Sequence, residues 1–301
     1  MSTCILCGSS NSTKSIFGGY RYNGSEFYLT RCSKCGFLYL DPIPDENVIE
    51  SMYGDEFYFK NYWVRNSNVL GYAQGKEAAR KNAEETLRVI KRYKSTGSLI
   101  DIGCAGGHFL SKAREMKYRC LGMELNKEMA EYAKNTYGIN VINKPLHVAT
   151  EDIGKFDVIY MGDTLEHLTD LDKVFKCVKK IMYDNAILAI DGPMDYNRSF
   201  YNAFRIFNML FKKNRLSINR PYHLWEFDRK TIRMLLKRCG FKVLYLKIIE
   251  DPPRFVRGFD RDFLKEKLGR FIRNISKVIS NNILTRGLEL GNRVLLIASK
   301  V

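Results

Sequence analysis

The chain has 301 residues, enough for one large domain or two smaller ones with a buried core. Apolar residues make up 45% of it and charged residues 27%, which argues against a disordered tail, a collagen-like chain and a coiled-coil rod. Its 49 Lys and Arg outnumber its 33 Asp and Glu, and the net charge of +16 favours anionic partners: phosphates, nucleic acid or an acidic membrane surface.

No run of about 18 consecutive apolar residues occurs, which argues against a transmembrane helix. The first residues also lack the basic region and apolar stretch that are typical of a secretory signal. We therefore expect a cytoplasmic protein, in which the 8 cysteines do not form a disulfide framework.

Four cysteines form two Cys-x-x-Cys pairs, and a glycine directly follows each pair. Two residues between thiolates let a tight turn direct both sulfurs at one tetrahedral ion, and the glycine permits a positive φ. The pattern is typical of a zinc ribbon and predicts a closed, structural zinc site within residues 1–45; coincidental pairs or a redox dithiol are the alternatives. The predicted ligands are Cys4, Cys7, Cys32 and Cys35.

Residues 46–95 are predicted to form an aromatic-rich connector followed by an amphipathic helix over 76–94, so that the main domain begins at residue 96. There, a short buried strand at 98–102 is followed by a glycine-rich turn and a helix. That order predicts a nucleotide-binding edge of an open α/β sheet. The turn has the pattern Asp-x-Gly-x-Ala-x-Gly over 101–107, which differs from the dinucleotide-binding pattern.

A second strand, at 120–125, ends near the acid Glu124. A carboxylate at such a strand end can accept both hydroxyls of a ribose and would repel a phosphorylated ribose, which indicates adenosine without a triphosphate. A third strand, at 156–163, ends in Asp163 and precedes Leu165-Glu166-His167-Leu168.

These ordered motifs resemble the class I S-adenosylmethionine-dependent methyltransferases over about residues 97–301. The resemblance implies a doubly wound, seven-stranded Rossmann-like sheet, with an antiparallel final strand, that binds S-adenosylmethionine. The turn would approach the methionine part of the cofactor, and Glu124 would bind its ribose. The segment after the strand at 156–163 would line the pocket near its sulfonium. The family commonly has glycine where this chain has Ala105, so we expect a less close approach there. The implied cofactor residues are Asp101, Gly103, Cys104, Ala105, Gly107, Glu124, Leu125, Gly162 and Asp163.

The chain also resembles methyltransferases that act on sugars, glycan precursors and small metabolites. The resemblance rests on the cysteine module, the following Asp-Pro-Ile-Pro and the motif Pro-Tyr-His-Leu-Trp-Glu-Phe at 221–227. The segment 196–223, basic and without an acid, is predicted to be an insert that covers the acceptor pocket in the resembling family. A second insert at 251–290 contains an amphipathic helix over 263–280. Its basic face suits anionic lipid, a docked helix or a dimer contact.

Methyl transfer to a hydroxyl or an acidic carbon also needs a proton acceptor, and histidine has a suitable pKa. The chain has 4 histidines. We predict His167 and His223 as candidate bases, because the family geometry would place both near the sulfonium; a structural role is the alternative for each. His108 and His147 are weaker candidates.

We therefore expect a methyltransferase for a small anionic or glycosylated acceptor: a sugar, a nucleotide sugar or a cell-surface glycan precursor. An RNA methyltransferase is the first alternative, since the net charge and the zinc module favour nucleic acid. Residues 161–164 are Met-Gly-Asp-Thr, not the Asn/Asp-Pro-Pro-Tyr/Phe of base N-methylation, which argues against it. A scaffold that binds no cofactor is the second alternative. Contact with the inner face of the membrane through 263–280 stays open.

Overall fold

The computed structural model describes residues 3–54, 82–198, 203, 216–217, 223–249, 275, 278 and 290–301. The chain folds into two compact units, each built from segments that are distant in the sequence. Unit 1 comprises Met1–Asp45, Pro193–Arg238 and Lys247–Val294, and unit 2 comprises Glu46–Gly192, Cys239–Leu246 and Leu295–Val301.

The elements follow in chain order. The strands are β1 (Ser12–Tyr22), β2 (Ser25–Cys32), β3 (Leu38–Asp41), β4 (Gly97–Ile102), β5 (Tyr118–Met123), β6 (Val141–Ile142), β7 (Phe156–Gly162), β8 (Met182–Pro193), β9 (Leu216–Ser217), β10 (Trp225–Glu226), β11 (Phe241–Ile249) and β12 (Arg293–Lys300). The helices are α1 (Glu46–Gly54), α2 (82–91), α3 (His108–Glu115), α4 (Lys127–Tyr137), α5 (Leu146–Ala149), the 3₁₀ turn Leu165–His167, α6 (Leu171–Lys180) and α7 (Arg229–Arg238).

Unit 2 is built on a seven-stranded sheet with the order β11-β12-β8-β7-β4-β5-β6. The pairs β4–β5, β4–β7, β5–β6 and β7–β8 are parallel. Central strands of such a sheet are covered on both faces, and the side chains of Leu99, Ile100 and Val158 are fully buried. The predicted Rossmann-like α/β fold is confirmed.

The strand ends of unit 2 place acidic and amide side chains at the start of the following loops. Strand β5 ends at Met123, so Glu124 is the first residue beyond it. Helix α4 begins after Asn126, whose Oδ1 accepts a hydrogen bond from the backbone N–H of Met129 at 2.9 Å. The capping bond fixes the path of the chain directly after Glu124.

Unit 1 contains a five-stranded sheet with the order β10-β3-β2-β1-β9. Strands β1 and β2 form a hairpin through Asn23 and Gly24, both with positive φ, as a tight turn of this kind requires. Strand β9 pairs parallel with β1, and β10 pairs antiparallel with β3. Strands from after residue 193 therefore complete the sheet that the N-terminal segment begins.

Several predicted segments lie outside the described residues: most of the connector and the start of the helix at 76–94, most of the insert at 196–223, and most of the insert at 251–290, including all of its helix at 263–280 except residues 275 and 278. The domain boundaries 1–45, 46–95 and 96–301 stay predictions. Among the residues that are described, no helix is both long and apolar enough to cross a membrane.

Candidate functional site

The glycine-rich turn between β4 and α3 needs glycine at two positions. Gly103 has a φ of +82°, and an added Cβ would lie 2.5 Å from Oγ1 of Thr164. Gly107 has a φ of +77°, and an added Cβ would lie 2.9 Å from Cβ of Ala133. Larger residues would clash at both positions, so the turn packs closely on the loop after β7 and on α4.

Ala105, the residue that departs from the family pattern, also adopts a positive φ, of +44°. This conformation costs an alanine about 1–2 kcal/mol. Its N–H donates a hydrogen bond to Oε2 of Glu124 at 2.9 Å. The carboxylate of Glu124 therefore holds the turn in a shape that the alanine disfavours.

We expect Ala105→Gly to stabilise the protein by up to about 1 kcal/mol, because the relief of strain exceeds the entropy that glycine adds to the unfolded chain. Urea unfolding measures the change. Ala113→Gly is the matched control, since Ala113 is fully buried inside α3 and its replacement should destabilise the fold. Equal losses in the two variants would contradict strain at Ala105.

Glu124 is buried, and backbone N–H groups bind both of its oxygens. Oε1 accepts a hydrogen bond from Asn126 at 2.8 Å, and Oε2 accepts the one from Ala105. Burial raises the pKa of Glu124, and the N–H groups of Asn126, Ala105 and Leu125 oppose that rise. A carboxylate has about four acceptor positions, and the hydrogen bonds from Asn126 and Ala105 occupy two of them, so Glu124 can still accept two hydroxyls. The adjacent Leu125 is 41% exposed and offers apolar surface.

Asp101, the second-last residue of β4, has a buried oxygen, Oδ1, without a hydrogen-bond partner among the described residues. The residue is 2% exposed. Burial, together with the nearby Glu124 carboxylate, raises the pKa of Asp101 well above its usual range. Burial, Asp101 and Glu124 also raise the pKa of the Cys104 thiol. A cationic or hydrogen-bond-donating ligand would relieve this cost at Asp101.

The end of β7 and the loop after it form the third segment of the candidate site, beside the glycine-rich turn and Glu124. Asp163 is exposed, has a φ of +49°, and its N–H donates to the carbonyl of Asp191 at 2.8 Å. Thr164 donates from Oγ1 to the carbonyl of Gly162 at 3.0 Å. The sequence analysis missed Thr164, which the turn contacts at Gly103, and Asp191, which accepts from Thr86. Their positions in the sequence could have indicated them. Thr164 directly follows the predicted strand at 156–163, and Asp191 lies near the end of β8, the strand beside β7.

The two predicted bases lie in different units, and each is close to a glutamate. His167, in unit 2, ends the 3₁₀ turn after β7, with Nε2 3.8 Å from Oε1 of Glu166. His223, in unit 1, directly precedes Leu224 and β10, with Nδ1 3.3 Å from Oε1 of Glu226.

The side chains of the two weaker candidates, His108 and His147, contact other residues of the fold. His108 forms a hydrogen bond with the hydroxyl of Tyr137 at 2.8 Å. His147 lies 3.9 Å from a carboxylate oxygen of Glu46.

The four paired cysteines come together in unit 1. Sγ of Cys4 lies 3.6 Å from that of Cys35, Sγ of Cys7 lies 3.5 Å from that of Cys32, and all four lie within 4.8 Å of one another. A tetrahedral zinc with bonds of about 2.3 Å needs sulfurs about 3.8 Å apart. Gly8 and Gly36 have positive φ and donate to the carbonyls of Cys4 and Cys32. The cluster fits a tetrahedral metal ion.

Residues 74–246, more than half of the chain, match the protein family described as a methyltransferase domain. The chain belongs to this family. The matched range contains the glycine-rich turn, Glu124 and the end of β7. The chain therefore carries a methyltransferase domain.

The chain is similar at low identity to a curated methyltransferase. A ubiquinone biosynthesis O-methyltransferase from Pelagibacter ubique (strain HTCC1062) is 27% identical over 153 residues, which cover 50% of this chain and 54% of the relative. The chain thus spans about half the length of that curated relative.

Solved structures support the fold. A protein from Pyrococcus horikoshii OT3 matches with a TM-score of 0.50 and 13% identity, over 82% of this chain and 99% of that one. Magnesium protoporphyrin IX methyltransferase from Synechocystis PCC 6803, solved with bound S-adenosylhomocysteine, matches with a TM-score of 0.50 and 12% identity, over 84% of this chain and 100% of that one. At these identities the structures show the fold of this chain and nothing further.

Proposed function

We propose that S-adenosylmethionine binds along the ends of β4, β5 and β7, with Glu124 accepting the ribose hydroxyls and the 103–107 turn facing the methionine part. The observation that carries this proposal is the buried Oδ1 of Asp101, which lacks a hydrogen-bond partner among the described residues. Asp101 lies near the end of β4, directly before a turn whose glycines leave no room for side chains. The cofactor carries ammonium and sulfonium charges, so it fits a site that gains from a cation.

The bound cofactor supplies an electrophilic methyl group on its sulfonium. The protein's part is to place the acceptor in line with that methyl group and to take up the proton that a hydroxyl loses. We assign the proton to one of the predicted bases, His167 or His223. Asp163, exposed at the end of β7, and Gly162 are assigned to the wall near the sulfonium.

For the acceptor we propose a small anionic or sugar-linked molecule methylated on oxygen. The net charge of +16 and the basic segment 196–223, which contains no acid, support an anion. The relative named as an O-methyltransferase of ubiquinone biosynthesis supports oxygen as the acceptor atom. Phosphate groups of a nucleotide sugar would suit arginine contacts.

We further propose that the four clustered cysteines hold one structural zinc ion. Four thiolates close the coordination sphere, so the ion has no open position for substrate. Its role would be to hold together the turns at residues 4–8 and 32–36, which flank β1 and β2.

Calorimetric titration with S-adenosylhomocysteine, beside ATP and NAD, tests the cofactor assignment. We expect selective binding of S-adenosylhomocysteine. Glu124→Ala should weaken it by about 1–3 kcal/mol through loss of charge-assisted hydrogen bonds to the ribose. Glu128→Ala is the matched control, because Glu128 is exposed in the first turn of α4. Equal affinities in the two variants would remove Glu124 from the site.

Transfer of a radiolabelled methyl group tests the acceptor class. Nucleotide sugars, sugar phosphates and total RNA are each incubated with the enzyme and labelled cofactor. Label in the small molecules supports the proposal, and label only in RNA would replace it with the RNA methyltransferase alternative.

A further inference from the structure

Two segments of unit 1 bring an imidazole and two carboxylates together. Asp195 follows β8, whereas His223 and Glu226 lie three residues apart around the start of β10. One polar atom of each residue lies within 4.8 Å of the other two. All three residues belong to unit 1, so the cluster is complete within one compact unit.

Backbone hydrogen bonds within unit 1 anchor both segments. Met194, the residue before Asp195, donates its N–H to the carbonyl of Asn292 at 2.7 Å. Leu40 donates its N–H to the carbonyl of Leu224 at 2.9 Å, and β10 pairs antiparallel with β3. The three side chains therefore start from well-supported backbone positions, as a precise ligand site requires.

The distance between His223 and Glu226 matches that between two ligands of one metal ion. Nδ1 of His223 lies 3.3 Å from Oε1 of Glu226. Neighbouring oxygen and nitrogen ligands at about 2.1 Å from an ion are about 3.0–3.4 Å apart in octahedral and tetrahedral geometry. This contact is not a hydrogen bond. The geometry therefore suits the lone pair of Nδ1 as a ligand better than an N–H that donates to the carboxylate.

The charges of the cluster also favour a cation. The side chain of Glu226 is only 4% exposed. Two carboxylates within 4.8 Å repel each other, most strongly where water is excluded. A divalent cation balances both charges, and a neutral imidazole adds a ligand without adding a charge. Asp195 and His223 are half-buried, so an ion can enter from the solvent.

We propose that Asp195, His223 and Glu226 bind one divalent cation, through Nδ1 of the imidazole and one oxygen of each carboxylate. Imidazole suits ions such as Zn²⁺ and iron, whereas carboxylates suit Mn²⁺ and Mg²⁺. The mixed set favours a transition-metal ion over Mg²⁺. Three protein ligands leave further positions open to water or to an oxygen of an anion. A ligating imidazole is neutral, so this site leaves His167 as the histidine for the proposed proton transfer.

Titration of the full-length protein with Mn²⁺ tests the site, with electron paramagnetic resonance to distinguish free from bound ion. We expect one Mn²⁺ per chain at micromolar concentrations, and affinity at least about tenfold weaker in Glu226→Gln and in Asp195→Asn. Mg²⁺ should displace Mn²⁺ only in at least about tenfold excess. The thiolates of the cysteine cluster select zinc, so they do not take up the probe.

Two further variants complete the titration. Asp195→Asn, at the half-buried acid, serves if the buried Glu226→Gln fails to fold. Glu46→Gln is the matched control, because Glu46 also lies beside an imidazole, that of His147, but at 3.9 Å and exposed. Its affinity for Mn²⁺ should equal that of the wild type.

Pulsed electron paramagnetic resonance of the bound Mn²⁺ tests the nitrogen ligand without a carboxylate variant. In protein with ¹⁵N-labelled histidine, we expect a coupling from a directly bound nitrogen. The coupling should disappear in His223→Gln and persist in His147→Gln.

Four outcomes would each overturn the cation site: saturation only at millimolar Mn²⁺, unchanged affinity in both carboxylate variants, equal displacement by Mg²⁺, or no coupling to nitrogen. None of these measurements uses the cofactor or an acceptor. Failure of the proposed function would therefore leave their results unchanged.

Discussion

The Cys7→Ser variant is expected to lose its zinc and to unfold unit 1. A structural zinc contributes about 10–16 kcal/mol to the folding of small zinc-binding peptides. That is as large as the whole stability of a typical domain, about 5–15 kcal/mol. Strand β3 begins three residues after Cys35 and pairs with β10, so the damage should extend from the cysteine turns to the segment of His223.

The measurements are zinc content by atomic emission and the sites of limited proteolysis. Cys177→Ser is the matched control, because Cys177 is half-buried like Cys7 but lies in α6 of unit 2. We expect one zinc per wild-type and control chain, and rapid cleavage within residues 1–45 only in Cys7→Ser. Binding of S-adenosylhomocysteine should persist, since every proposed cofactor residue belongs to unit 2. Folded wild-type protein without zinc would contradict the metal proposal.

The parts of this protein that could be predicted from sequence are those that a short stretch of chain determines. The run of apolar residues in β4, the glycines after it and the acid after β5 each lie within a few residues, and they suffice for the fold class. The two Cys-x-x-Cys pairs likewise carry their turn geometry locally. The structure brings all four sulfurs together as the spacing predicted.

The parts that could not be predicted depend on pairing between distant segments. Strand β10 has only two residues, Trp225 and Glu226, and no alternation in so short a stretch indicates that β3 is its partner. The contact of His223 with Glu226 follows from the path of the chain around that pair. The positive φ of Ala105 was also missed, because its cause is the carboxylate of Glu124, which lies in another loop.

The unsatisfied oxygen of Asp101 leads to the second large effect. We expect Asp101→Asn to be more stable than the wild type without cofactor, and to bind S-adenosylhomocysteine at least about tenfold more weakly. Burial and Glu124 raise the pKa of Asp101, so the folded state holds a proton that the unfolded state releases. The stability from this group is complete below the usual pKa of about 3.9 and is lost as the pH rises through the raised value.

Asparagine carries no charge, so the stability of Asp101→Asn relative to the wild type should grow with pH from about 4 upwards. The total gain should be about 1.4 kcal/mol for each unit by which the pKa of Asp101 is raised in the folded state. Hydrogen exchange of the β4 and β5 peptides between pH 5 and pH 8, corrected for the intrinsic rates, measures this stability difference within unit 2. Asp152→Asn, at an exposed aspartate, should show no such trend. The stability of Asp101→Asn should itself still fall somewhat as the pH rises, because burial also raises the pKa of Glu124. A stability gap that does not depend on pH would show that Asp101 is satisfied without the cofactor, and would remove the observation on which the cofactor assignment rests.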